Sequence, residues 1–79
     1  MTKSDSDILI VDAKYKSCPG PIIDLSEAVK HANPGQVIRL LATDQATPSD
    51  VKAWTSQVGH KVLRISEHEG VYEIEVEVR

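Results

Sequence analysis

Toward the end of the chain apolar and acidic residues alternate strictly: Tyr72, Ile74, Val76 and Val78 on one side, Glu73, Glu75 and Glu77 on the other. A period of two with one apolar side predicts a strand over 71–78, with one buried face and one wet face. Ile8-Leu9-Ile10-Val11, bracketed by Asp7 and Asp12, reads as a buried strand. The stretches 36–43 (QVIRLLAT) and 60–66 (HKVLRIS) read as two more, and Glu67 to Gly70 as a turn. Between the strands the period lengthens. Ile22, Leu25, Val29 and Ala32 recur at helical spacing behind Pro21, which suits a first helical turn. Asn33-Pro34-Gly35 closes that helix. Thr47-Pro48-Ser49-Asp50 predicts a second helix start, with Thr47 as N-cap, Pro48 at the first position and Asp50 at the third. Val51, Trp54 and Val58 form its apolar stripe, and Gly59 stands where a left-handed C-terminal residue belongs.

The order is therefore βαβαββ: two crossover helices, then a hairpin. It predicts an α/β (α+β) two-layer sandwich, a mixed four-stranded sheet with two helices on one face. On the handedness rule, a shared face is expected only if the strand order reverses between the crossovers. Residues 7–79 are expected to form a single domain, with residues 1–6 as a flexible polar lead.

Composition narrows the chemistry. The chain has 79 residues, 41% of them hydrophobic, and no Phe, so the core must come from Val, Ile, Leu and Ala. A pocket of several hundred Å³ would hollow out so small a core, so reactions are expected at the surface. Nine basic against twelve acidic residues leave a net charge of −3, which argues against direct nucleic-acid binding. The longest apolar run is four residues, too short to span a bilayer, and the polar start has no signal-like apolar stretch. The expected location is the cytoplasm. A single cysteine excludes an internal disulfide and a Cys-rich zinc site. His31, His60 and His68 form no metal-ligand spacing, and no glycine-rich nucleotide motif occurs, so neither metal nor cofactor is expected.

Cys18 is the one sulfur nucleophile, and it sits just before a predicted helix in Cys18-Pro19-Gly20-Pro21. A helix start favours an anion. A thiol of ordinary pKa, about 8.5, is about 3% ionised at pH 7, whereas one lowered to about 7 is half thiolate. Lys14 and Lys16 stand upstream and could add positive potential or serve in docking. The opposing reading is that a lone cysteine in a small domain is an inert buried hydrophobe. A stiff turn entering a helix is a poor place to bury one.

This Cys-Pro-x-Pro segment at the strand-to-helix junction resembles the signature of the TusA/SirA-like sulfurtransferase family. Asp12 lies six positions before the cysteine, as in the pattern D-x-x-G-x-x-C-P-x-P. Asn33-Pro34-Gly35, the strand leading to Ala42-Thr43-Asp44, the stretch Pro48 to Trp54 and the pair Gly59-His60 extend the likeness over residues 7–78. The resemblance implies a βαβαββ sandwich and a cysteine that accepts sulfur as a persulfide and hands it to a partner protein. Cys18 would carry the sulfur, Pro19, Gly20 and Pro21 would set the helix entry, and Asp12 would act structurally. Three positions depart from the pattern: Tyr15 replaces the usual Gly, Lys16 a common apolar residue, and Gln45 a frequent Pro. Tyr15 reaches positive φ less cheaply than Gly, so a different path for the loop is expected.

The reading is a sulfur carrier that relays persulfide sulfur between donor and acceptor proteins in transient contacts, rather than a multiple-turnover pocket enzyme. It would serve transfer-RNA thiolation, cofactor biosynthesis or sulfur-oxidation trafficking. The alternative is a non-catalytic interaction or regulatory module in which Cys18 is incidental.

Overall fold

The computed structural model describes residues 8–17 and 19–79; the expected lead (1–6), Asp7 and Cys18 lie outside the described residues. The elements are β1 (Ile8–Ala13), α1 (Gly20–Lys30), β2 (Val37–Ala42), α2 (Thr47–Val58), β3 (Lys61–His68) and β4 (Val71–Glu77). They form one four-stranded sheet in the order β1-β2-β4-β3. β1 and β2 are parallel, and β4 runs antiparallel between β2 and β3. The expected mixed sheet and two-layer sandwich are present. The expected reversal of strand order is not. Both crossovers, β1 to β2 and β2 to β3, step the same way along the sheet between parallel strands. Two right-handed connections then place both helices on one face without reversal.

The layer between helices and sheet is the core. Ala13 of β1, Ile38, Leu40 and Ala42 of β2, and Ile74 and Val76 of β4 meet Leu25 of α1 and Val51 of α2. All of these are fully buried. Val78 continues the alternation of β4 just past its end, its N–H donating to the Gln36 carbonyl at 2.9 Å. Trp54 is partly buried against this core. Val58, expected on the same stripe, is exposed, because the helix turns its last residue out before Gly59 (φ 89°) ends it.

Three local features differ from expectation. β1 is an edge strand rather than a buried one: Leu9 is 36% and Ile10 57% exposed. An apolar run on both faces reads as doubly buried, but β1 has a neighbour on one side only, and Ile10 pairs with Arg39 on the helix-free face. The second helix starts one residue earlier than expected. Ala46 is its N-cap, and Thr47 is the first helical residue and fully buried. Asp44 instead organises the turn, Oδ1 accepting the Ala46 N–H at 2.9 Å. β3 extends to His68, and the hairpin closes through Glu69 (φ 52°) and Gly70 (φ 82°). Two successive positive φ angles are the geometry whose twist matches the flanking strands.

The acidic side of β4 is not simply solvated. On the helix-free face Arg39 Nε and Nη2 donate to Glu75 Oε2 at 3.1 and 3.0 Å. Arg64 Nη2 donates to the same oxygen and to Glu73 Oε1, both at 3.2 Å. The Glu75 side chain is only 16% exposed, and hydrogen bonding from Arg64, joined by Arg39 and opposed by burial, holds its carboxyl below the usual range. A carboxyl depressed in the folded state stabilises above its ordinary pKa of about 4.3, and that contribution is lost as pH falls through the lower folded value. Glu75→Gln is therefore expected to cost about 1 kcal/mol at pH 7. Urea unfolding at pH 7 and pH 3 should show a smaller acid-induced loss in the variant than in the parent.

Candidate functional site

The chain leaves β1 through a loop fastened at each step. Asp12 Oδ1 accepts the Lys14 N–H at 3.1 Å, a side-chain turn at the strand end. The Tyr15 N–H then donates to Thr43 Oγ1 at 2.9 Å, tying the loop to the end of β2. Lys16 folds back over the helix start. Its Nζ meets Asp24 Oδ2 at 2.6 Å, and its Cβ lies 3.2 Å from where a β-carbon on Gly20 would stand. Gly20 is thus the residue that lets the loop and α1 approach closely. Pro19 is the N-cap without a side-chain cap bond, its carbonyl accepting the Ile23 N–H at 3.0 Å. The Gly20 N–H donates to the Ser17 carbonyl at 2.8 Å, and Pro21 is buried.

Ser17 and Pro19, the neighbours of Cys18, are both exposed. Of the two lysines expected to add potential, Lys16 is paired with Asp24, and Lys14 Nζ stands 3.9 Å from Asp12 Oδ2. The three histidines are apart. His31 is the C-cap of α1, and His68 ends β3. His60 lies against Trp54, ring centroids 5.6 Å apart, and its Nδ1 accepts the Arg79 N–H at 3.0 Å. Among the described residues no group of His, Cys, Asp or Glu could hold a metal ion.

Tyr15 reaches positive φ despite its side chain. It adopts φ 68°, the left-handed conformation that suits glycine, with its side chain 86% exposed. For an L-residue this costs about 1–2 kcal/mol. Tyr15→Gly removes that strain while adding unfolded-state entropy of about 0.4–1 kcal/mol. The net expectation is a gain in stability of up to about 1.6 kcal/mol, read as a higher urea midpoint at unchanged slope.

Beside this loop the helix-free face carries a cleft of about 640 Å³. It lies between Lys14 and Tyr15 on one side and the β3–β4 turn on the other, over Leu41 at the end of β2. The carboxyl ends of β1, β2 and β3 thus border it, the edge where α/β sheets commonly place ligands. No local sequence signal marks it, because its walls come from segments far apart in the chain.

Fold and loop together define a βαβαββ sandwich with a Cys-Pro-Gly-Pro helix entry after its first strand. The sequence model of the family described as Sulfurtransferase TusA matches residues 9–78, and the chain belongs to that family. Among its relatives, a Neisseria meningitidis serogroup A protein named a putative sulfur carrier protein is 36% identical over 67 residues, covering 85% of this chain and 90% of the relative. The sulfur carrier protein TusA of Pseudomonas paraeruginosa is 32% identical over 63 residues, covering 80% of each. The crystal structure of the SirA-like protein from Desulfitobacterium hafniense shares the fold, with a TM-score of 0.77 and 20% identity over 87% of this chain and 95% of that one.

Proposed function

We propose that the chain is a sulfur carrier in which Cys18 takes up sulfane sulfur as a persulfide and delivers it to a cysteine of a partner protein. The observation that carries this reading is the family match over residues 9–78, which includes the Cys18-Pro19-Gly20-Pro21 segment at the β1–α1 junction. The surrounding loop supports it. Residues on either side of Cys18 are exposed, and α1 begins two positions after it in the chain, with the amino-terminal end that is the positive end of a helix dipole. In the loading step the Cys18 thiolate attacks the outer sulfur of a donor persulfide, R–S–SH. A sulfur–sulfur bond forms to Cys18, the donor's sulfur–sulfur bond breaks, and R–S⁻ leaves. Delivery repeats the exchange, with the acceptor's thiolate attacking and Cys18 leaving as thiolate.

Such a relay needs exposure and thiolate rather than an enclosed pocket, and a second cysteine would risk discharging the sulfur as an internal disulfide. The cytoplasm is the proposed compartment, since a free thiol persists under reducing conditions. Among the described residues no helix is long and apolar enough to cross a membrane. Donor and acceptor proteins are proposed to dock transiently around residues 14–21, with Asp12, Lys14, Lys16 and the two prolines shaping the surface.

Alkylation of the folded protein by iodoacetamide tests the premise of a reactive thiol. The rate is expected to rise with a midpoint below the ordinary thiol pKa of about 8.5. Protection of Cys18 until the protein unfolds would favour the non-catalytic interaction module instead.

A further inference from the structure

Tyr15 is unfavourable to its own fold. A large aromatic side chain stands 86% exposed on a left-handed backbone. It touches too little protein for burial to offset that strain. Its position explains more than its local energetics do: it forms a wall of the 640 Å³ cleft, three residues before Cys18 in the chain. Leu41 beneath it and Val71 at the hairpin supply apolar surface. The charges around this apolar patch are of both signs: Lys14 on the loop side, Glu69 and Glu73 on the hairpin side. Glu73 is shared with Arg64, while Glu69 sits exposed at the turn.

A lining of this kind does not suit a small inorganic dianion, which the acidic side would repel. It suits a zwitterion a few bonds long, with a carboxylate for Lys14, an ammonium for Glu69 and an apolar stem to lie along the tyrosine ring. The volume falls in the range of small-ligand sites. The cleft borders the carboxyl end of β1, and Cys18 follows the last residue of that strand by five positions in the chain. We propose that this cleft is a binding subsite for the organic part of an amino-acid or peptide persulfide, with Tyr15 as its specificity-determining wall. The assignment rests on the carrier reading for its purpose, though not for its binding measurement. The bound persulfide R–S–SH would be discharged by the exchange described above. The outer sulfur passes to Cys18 with its proton, and the peptide thiolate R–S⁻ remains in the cleft until released.

The first test uses reduced glutathione as the probe and the full chain carrying Cys18→Ser, which prevents mixed disulfides. Titration followed by amide chemical shifts is expected to move Lys14, Tyr15 and Glu69 to Val71 together, saturating near 10 mM or below, the weak affinity of a small exposed site. Absence of shifts at that concentration, or shifts scattered over the surface, would overturn the subsite. The second test compares loading of Cys18 by glutathione persulfide and by thiosulfate, followed by intact mass. The ratio of the two rates is expected to fall about fivefold in Tyr15→Gly, the loss of a ring contact worth about 1 kcal/mol, and to be retained in Tyr15→Phe. Glu69→Lys should lower the ratio as well. An unchanged ratio in Tyr15→Gly would remove the tyrosine from substrate selection. The rise in stability expected for that same variant separates lost recognition from lost folding. If neither donor loads the parent protein, the carrier reading fails, while the glutathione titration still decides whether the cleft binds.

Discussion

Leu25→Ala is expected to lower the unfolding free energy by about 2–5 kcal/mol, because the side chain is fully buried between α1 and the sheet and its removal leaves a cavity. A chain of this length has roughly 4–12 kcal/mol of stability in all. The substitution therefore consumes a large share, and the melting temperature should fall by about 10 °C or more, since each kcal/mol is worth roughly 4–8 °C in so small a domain. Leu25→Met, which keeps the volume, should cost less than about 1.5 kcal/mol. The contrast separates packing from any effect of helix propensity, as both residues and Ala are good helix formers. The loss extends to the site, because α1 carries the Pro19-Gly20-Pro21 entry at its start and is held to the core through Leu25 and Ile22. A drop of less than about 1 kcal/mol for Leu25→Ala would mean that this layer is not the core described.

The second large effect is chemical. Cys18→Ser replaces the only sulfur nucleophile with a hydroxyl. An alcohol is not appreciably ionised at neutral pH and forms no persulfide, so sulfur acceptance is expected to vanish entirely rather than decline. Stability should change little. The loop is fastened by Asp12, Thr43, Asp24 and the bonds between Ser17 and Gly20, none of which uses the thiol. Unfolding free energies from urea that agree within about 0.5 kcal/mol for parent and variant would fit a residue kept for reactivity. A large loss of stability would point to a packing role for the cysteine.

Much of the fold is legible in the chain because its signals are local. The alternation from Tyr72 to Val78 fixes which face of β4 meets the core, and the stripe through Leu25 and Val51 marks the helix faces that cover it. What escapes the sequence depends on register and topology. Glu73 and Glu75 read as solvated until β4 lies between β2 and β3, which brings Arg39 and Arg64 beside them. Ile8 to Val11 reads as doubly buried because an apolar run carries no mark of being at an edge. Thr47 reads as an N-cap because its side chain suits one, yet Asp44 takes the turn and the threonine is drawn inward.

The candidate site divides the same way. The Cys18 segment is visible as a contiguous motif, and so is the substitution of Tyr15 for the usual glycine. That Tyr15 keeps glycine's backbone conformation was not legible. The force holding it there comes from Thr43, twenty-eight residues away, and from the anchored ends of the loop. The cleft beside it has no sequence signature at all, since Tyr15, Leu41 and Val71 meet only in the folded sheet.

The central claim, that Cys18 carries transferable sulfur, is tested most directly by intact mass after exposure to a persulfide or thiosulfate donor. The expected result is a gain of one sulfur, about 32 Da, removed by dithiothreitol and absent in Cys18→Ser. An unchanged parent mass, or the same gain in the serine variant, would contradict it.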